Sequence, residues 1–400
     1  METDRKRLTK EFLALASIDS ESFHERRMAD YLLSSLRAMG LSPEEDESGA
    51  LTGASAGNIF CRAAAAKYGD AQRRTAASVS QAQEASPVTQ ETGAAPVLFC
   101  AHMDTVAPGN GRHAVLCEDG TIRSDGTTVL GADDGAAIAE ILEALRMTLA
   151  EGKPHREIEL LFTTAEEAYT RGAACFDCSK LHAETAFIPD LEGPQGSYSE
   201  TEPTLVQFSA HIKGRPSHAG FAPERGVSAL SVAVRALARL PEGRVDPDTT
   251  FNTGILRSGT GTNIIPGTAH LEGEIRSLDN EAALELYEEL ESILQEEAQR
   301  AAFPGFVPKV VTEKNVRLTA YRVPEGDPAL GSFERACTAA GVTACGVQNF
   351  GGSDGNCLRR QGIPAITFAN GMHEVHTCSE YTTVGEMAKA AEILYQIMRQ

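Results

Sequence analysis

The sequence predicts an α/β fold carrying a second, inserted domain, and three observations predict it. Short apolar runs at 97–100, 158–162 and 186–188 alternate with amphipathic helical patterns, which argues for strands of one sheet covered by helices. From about residue 197 the order becomes β-α-β-β-α-β, the ferredoxin-like arrangement. Near residue 313 the first pattern resumes, so the chain divides into 1–196 plus 314–400 and an insert at 197–313. Its 400 residues are enough for two separate cores.

Taken in order, Leu8, Phe12, Leu15 and Ala16 lie on one helical face, and Met28, Tyr31, Leu32, Leu36 and Met39 on the next, with Gly40 as a stop. Residues 58–61 read as a strand. Residues 62–95 are rich in Ala, Gln, Ser and Thr with almost no large apolar side chains. Such a stretch buries too little to offset its ordering entropy, so it is expected to be a mobile insertion. A helix opening at Asp133 buries Ile138, Ile141, Leu142, Leu145 and Leu149 and ends near Gly152. In the insert, 204–213 and 269–276 alternate as half-exposed strands, 253–257 and 308–312 are shorter strands, and 226–240 and 280–301 are helices. Helices at 329–340 and 384–398 flank a last apolar strand at 364–369.

A formal net charge of −20 argues against nucleic acid, whose phosphates need clustered Lys and Arg. No apolar run approaches the ~20 residues of a membrane helix, and no signal-type segment follows the charged N-terminus, so no membrane partner and a cytoplasmic location are expected. Nine cysteines are an odd number without framework spacing, which favours reduced thiols. Cys175 and Cys178 form a lone CxxC without the second pair that a structural zinc site needs.

The chemistry gathers at strand ends. His102, the pair Glu166-Glu167, Asp190 and His376 each follow an apolar run, and Asp133 opens a helix. Singly, His102 reads as a core histidine, Asp133 as a cap favoured by the helix dipole, and the glutamates as a solvated loop. Jointly, they fall at the ligand-binding edge of one sheet and point to a metal site. Two imidazoles and three or more carboxylates suit two divalent ions, zinc first, with one carboxylate bridging ions ~3.5–4 Å apart. Such ions lower the pKa of a bound water from about 15.7 towards ~7. Asp104, two residues beyond His102, projects to the same side of an extended segment and would orient the imidazole. Of Glu166 and Glu167, one would bind metal and the other handle protons, because neighbours in an extended loop face opposite sides. In the insert, His218 in a Gly-flanked turn suits an oxyanion and Arg276 a carboxylate.

The motifs Ala-His-Met-Asp-Thr-Val, Leu-Gly-Ala-Asp-Asp-Gly, Thr-Ala-Glu-Glu, Arg-Pro-Ser-His-Ala-Gly, Thr-Asn-Ile-Ile-Pro, Gly-Gly-Ser-Asp-Gly-Asn and Val-His-Thr resemble, in order and spacing, the di-zinc exopeptidase family of peptidase T, carboxypeptidase G and the aminoacylases. Their spelling is most similar to the peptidase T-like branch, and the resemblance covers nearly the whole chain outside 62–95. It implies a mixed-sheet catalytic domain with a ferredoxin-like lid that can pair two chains as a homodimer. It implies that His102, Asp133 and Asp190 hold one zinc, and that Asp133 bridges to a second completed by Glu167 and His376, with cobalt or manganese as substitutes. Glu166 would be the general base and Asp104 the carboxylate behind His102. His218, Asn263 and Arg276 would contact substrate from the lid, and Gly352 to Asn356 would form a Gly-rich substrate loop.

The activity so implied is release of the N-terminal residue from short peptides, tripeptides above all. An N-acyl amino acid deacylase or a carboxypeptidase would use the same metal chemistry. A catalytically dead binding module is the remaining alternative, and the presence of every ligand and the base counts against it. Two departures stand out: Gly135 follows the paired aspartates where the family usually has Lys, and Ala168-Tyr169-Thr170-Arg171 follows the paired glutamates.

Overall fold

The computed structural model describes residues 3–66 and 94–400. The insertion expected at 62–95 lies mostly outside the described residues, but its beginning is regular: Arg62 and Ala63 complete the strand Ile59–Ala63, and Ala66 bridges to His155. Two compact units are present, one comprising Met1–Glu200, Val323–Gln348 and Ser353–Gln400, the other Thr201–Arg322 and Asn349–Gly352. The division at 197–313 expected from sequence therefore falls short at its far end. The strand expected at 308–312 runs Lys309–Leu318 and pairs along Thr204–Lys213. Its polar half, through Glu313, Lys314 and Asn315, is exposed and so carries no apolar signal.

In the first unit a mixed sheet runs in the order Glu44–Glu45, Ile59–Ala63, Ile158–Thr163, Val97–His102, Thr185–Leu191, Ala365–Ala369, Ser197–Glu202. Ile158–Thr163, Val97–His102, Thr185–Leu191 and Ala365–Ala369 are mutually parallel. Ile158–Thr163 and Val97–His102 are buried at every position, which is why both are unbroken apolar runs, as parallel strands covered on both faces must be. The helix Ala132–Glu151 packs against Arg5–Ala16 and Val384–Arg399, burying Ile138, Ile141, Leu142 and Leu145 completely. It ends at Gly152, whose φ of 64° is the left-handed stop that glycine supplies cheaply. A small antiparallel sheet, Met372–His373, Tyr381–Thr383, Thr121–Ser124, Ala114–Leu116, completes the unit. Among the described residues no helix is long and apolar enough to cross a membrane.

The second unit is an antiparallel sheet in the order Gly243–Asp246, Thr249–Ser258, Thr268–Ser277, Thr204–Lys213, Lys309–Leu318. Helices Ala229–Leu237 and Asn280–Arg300 pack on it. This is the expected βαββαβ order with one extra edge strand, Gly243–Asp246. The core is one-sided: Val206, Phe208, Ala210, Ile212, Leu271 and Ile275 meet the helices, while the alternate residues face away from them.

Candidate metal centre

Parallel strands put their carboxyl ends on one edge, and the site grows there. His102 is the last residue of Val97–His102, Asp190 lies near the end of Thr185–Leu191, and Glu166 and Glu167 follow Ile158–Thr163. Asp133 comes from the helix start, where it (φ −84°, ψ 100°) and Asp134 (φ −116°, ψ 26°) are not yet helical. Regular helix begins after them, so the pair sits in a kinked lead-in rather than in the first turn that the spacing suggested.

His102 Nε2 lies 2.9 Å from Asp133 Oδ1, and His376 Nε2 lies 3.1 Å from Asp133 Oδ2 and 3.1 Å from Glu167 Oε2. Two groups of ligand atoms result, His102 with Asp133 and Asp190, and Asp133 with Glu167 and His376, each with its atoms within 4.8 Å of one another. Asp133 belongs to both. Glu166, 9% exposed, comes from the same loop and belongs to neither group.

The loop bearing the glutamates is not extended, contrary to the sequence argument. It is a nested turn in which Thr170 N–H donates to Glu166 O and Gly172 N–H to Thr164 O. Ala165, Tyr169 and Thr170 take φ of 50°, 73° and 50°. The separation of Glu166 from Glu167 follows from this turn, not from strand alternation.

Asp104 also behaves differently from expectation. His102 Nδ1 is 2.9 Å from the backbone carbonyl of Asp104 and 3.5 Å from its carboxylate. That carboxylate accepts instead from Glu166 N–H at 2.9 Å, Glu167 N–H at 3.1 Å and Ser22 Oγ at 2.7 Å. It therefore holds the backbone of both glutamates.

Three further carboxylates brace the site, a role that the motif reading assigned to none of them. Glu380, 1% exposed, accepts from the N–H groups of Leu130, Gly131 and Asp133 at 2.6, 2.9 and 3.0 Å. Asp134 accepts from His102 N–H at 3.1 Å. Glu25 accepts from Ala165 N–H at 3.1 Å, ahead of the glutamate pair. Asp134 lies inside the motif Leu-Gly-Ala-Asp-Asp-Gly and Glu380 four residues past His376, but neither position by itself signals this bracing role.

In the second unit, His218 is exposed; its Nδ1 accepts from Gly220 and Phe221 N–H, both at 3.1 Å, and its ring lies against Phe221. Asn263 gives its backbone carbonyl to Ala219 N–H at 2.9 Å. Arg276 is already engaged: Nη1 donates to Phe350 O and Gly351 O, each at 2.9 Å, and Nε to Glu274 at 2.9 Å. Gly352, at φ 132°, belongs to this unit. Asn356 belongs to the first, inside the helix Asp354–Arg360, where its side chain accepts from Ser353 N–H at 3.1 Å in a capping box. The stretch read as a substrate loop is thus largely a helix start.

Crowded carboxylates set the electrostatics of the site. Burial first, then neighbouring carboxylates, push Asp190, Glu166 and Glu167 above the ordinary carboxylate range. Asp133 is held low despite its burial by hydrogen bonds to His102 and His376. Asp133 and Glu167 push the His376 imidazole up to about 11. Buried carboxylates crowded in this way, with nitrogen donors between them and one aspartate shared, fit two divalent cations. A third group, Glu157, Glu159 and His182, does not fit, because Arg62 pairs with Glu159 at 2.6 Å and with Glu157 at 3.4 Å.

Comparison with known proteins agrees with this reading of the fold. The profile described as Peptidase dimerisation domain matches residues 202–302, and that described as Peptidase family M28 matches residues 85–192. Together with the donor set they define the class, a metallopeptidase. Solved structures narrow it. Aminopeptidase PepT from Bacillus cereus superposes with a TM-score of 0.84 at 34% identity, covering 99% of this chain and 98% of that one. A tripeptidase from Staphylococcus aureus gives 0.88 at 27% identity, covering 100% and 99%. Peptidase T of Shewanella sediminis is 30% identical over 70% of this chain and 67% of its own length. The chain belongs to the peptidase T-like M20 family.

Proposed function

We propose that this chain is a two-zinc aminopeptidase that releases the N-terminal residue of short peptides, tripeptides foremost. The observation that carries the reading is the pair of three-ligand groups sharing Asp133, with Glu166 on the loop that supplies Glu167. His102, Asp133 and Asp190 would hold one ion, and Asp133, Glu167 and His376 the other. Bound divalent ions supply Lewis acidity and a water of lowered pKa.

The remaining work falls to the chain's own residues. Glu166 takes the proton of the attacking water and returns it to the leaving amine, which requires a carboxylate close to the ligands but free of them. Burial raises its proton affinity, the direction that a carboxylate which must take up and then return a proton needs. Asp104 fixes the backbone from which Glu166 and Glu167 project. His218, Asn263 and Arg276 are assigned to substrate, and the profile match over 202–302 supports pairing of two chains through the second unit. All nine cysteines are unpaired, which suits the cytoplasm.

The test is a panel of free tripeptides beside their N-acylated and C-amidated forms, with metal analysis on the same sample. Cleavage of the free and C-amidated peptides supports the aminopeptidase. Cleavage of N-acylated substrates alone overturns it in favour of a deacylase.

A further inference from the structure

The sheet of the second unit turns one face to its helices and leaves the other open, and one end of the open face breaks a rule of sheet design. Cross-strand partners there are Lys309 with Lys213, and Lys213 with Thr268. In the adjoining row Val311 faces His211, His211 faces His270, and His270 faces Arg257. Like charges directly opposite each other destabilise a sheet, whereas a Lys–Glu pair would stabilise it. In a chain of net charge −20, three fixed cations and two imidazoles in two adjacent rows are not an average of the composition.

Among the described residues no ion pair joins a carboxylate to Lys213, Lys309 or Arg257. Glu272, in the next row, pairs with His270, at 2.7 Å through Nε2. His270 Nδ1 is buried without a partner among the described residues, and its ring stacks on His211 at 4.2 Å. Lys213, Lys309 and Arg257 are exposed and line a basin of about 580 Å³ together with both histidines. That volume is in the range of small-molecule sites, ~300–1,000 Å³.

We propose that this basin binds a small polyphosphate-type oxyanion. Side chains from four adjacent strands reach it, a span of roughly 14 Å at ~4.8 Å per strand. A monocarboxylate offers two oxygens and one charge, too little for donors spread so widely. Linked phosphates offer several oxygens and charges along such a span, and Arg and Lys are the side chains that recognise them. The site is distinct from the ligand groups of the first unit and stands independently of the proposed peptidase activity.

Calorimetric titration of the full-length, metal-loaded chain with inorganic pyrophosphate at fixed ionic strength tests this. Saturable binding is expected, weakened tenfold or more in the double variant Lys213→Thr/Lys309→Thr and in Arg257→Gln, and weakened by added salt. Without ligand, the double variant should melt no lower than the parent, since it removes a like-charge pair. Equal affinity in parent and both variants overturns the proposal, because the anion would then sit at the metal centre or bind without a site. Equal binding of acetate at the same ionic strength overturns it as well. So does tighter binding of hexaglutamate than of pyrophosphate, which would assign the face to an acidic protein partner.

Discussion

Two charged clusters stand in this molecule, and they are held in opposite ways. The candidate metal-ligand cluster runs from buried His102 and Asp133 to exposed His376, and the backbone around it is tied by carboxylates outside the two ligand groups: Asp104 on Glu166 and Glu167, Asp134 on His102, Glu380 on Leu130, Gly131 and Asp133, Glu25 on Ala165. The basic cluster of the second unit sits on regular strands; Lys213, Lys309 and Arg257 are long and exposed, while its histidines are held by the His211–His270 stack and by Glu272. In the first region position is built in before any ligand arrives. In the second only charge is built in, and geometry is left to the ligand. A single lost atom should therefore matter far more in the first than in the second.

The sharpest way to test that contrast is within the glutamate pair. Glu166→Gln keeps shape and hydrogen-bonding capacity but cannot accept a proton. Turnover should fall by the ~10²–10⁴-fold typical of general acid–base catalysis, with both metals retained. Glu167→Gln should lose metal first from the group it shares with Asp133 and His376. Kinetics and metal content measured on both variants decide the roles. Zinc loss from Glu166→Gln with full occupancy in Glu167→Gln would reverse them.

A brace should matter less than a ligand, yet still measurably. Glu380→Ala leaves three buried N–H groups without their acceptor, each a loss of ~1–3 kcal/mol unless the loop shifts. Because Asp133 belongs to both ligand groups, metal affinity should drop by the ~10–100-fold seen when outer partners of a site are removed. Glu380→Gln keeps one acceptor oxygen and should fall between the parent and Glu380→Ala. Competition with a chelator, read alongside thermal unfolding, separates the effects. Lowered stability with unchanged metal affinity would show that Glu380 supports only the fold.

The candidate ligands are more legible in the sequence than the braces, of which it singles out only Asp104 as a supporting carboxylate. The candidate ligands are legible because His102, Glu167, Asp190 and His376 follow apolar runs and Asp133 opens a helix, and strand ends of a parallel sheet share one edge. His102 after Val97–Ala101 and Glu167 after Ile158–Thr163 need no distant information. The braces Glu25 and Glu380 are single acids, and their partners are main-chain N–H groups far along the chain. Glu25 meets Ala165 across 140 positions, and Glu380 meets Asp133 across 247. Nothing local marks such a pairing. The turn at 164–172 escaped for a related reason, since its left-handed residues are Ala165, Tyr169 and Thr170 rather than glycines. The two- and three-residue strands Met372–His373 and Tyr381–Thr383 are too short for a period to show.

Gly135 offers the mildest test of how far built-in position extends. It directly follows Asp133 and Asp134, at the point where regular helix begins. Its backbone is not in the left-handed region, and a Cβ there would meet only Phe12 Cε2, at 3.8 Å, an ordinary contact. Nothing in its surroundings therefore requires glycine, which in a helix is less favourable than alanine by roughly 0.5–1 kcal/mol. Gly135→Ala should raise the thermal midpoint slightly, by an amount corresponding to ~0.4–1 kcal/mol, and leave metal content and turnover within about twofold. The measurement is informative because the substitution stiffens the residue just behind the two aspartates without adding charge or reach. If turnover falls while the midpoint rises, freedom at the helix start contributes to function, and the braced region is less rigid than its hydrogen bonds indicate. If the midpoint falls, the kinked lead-in depends on glycine for a reason that its contacts do not show.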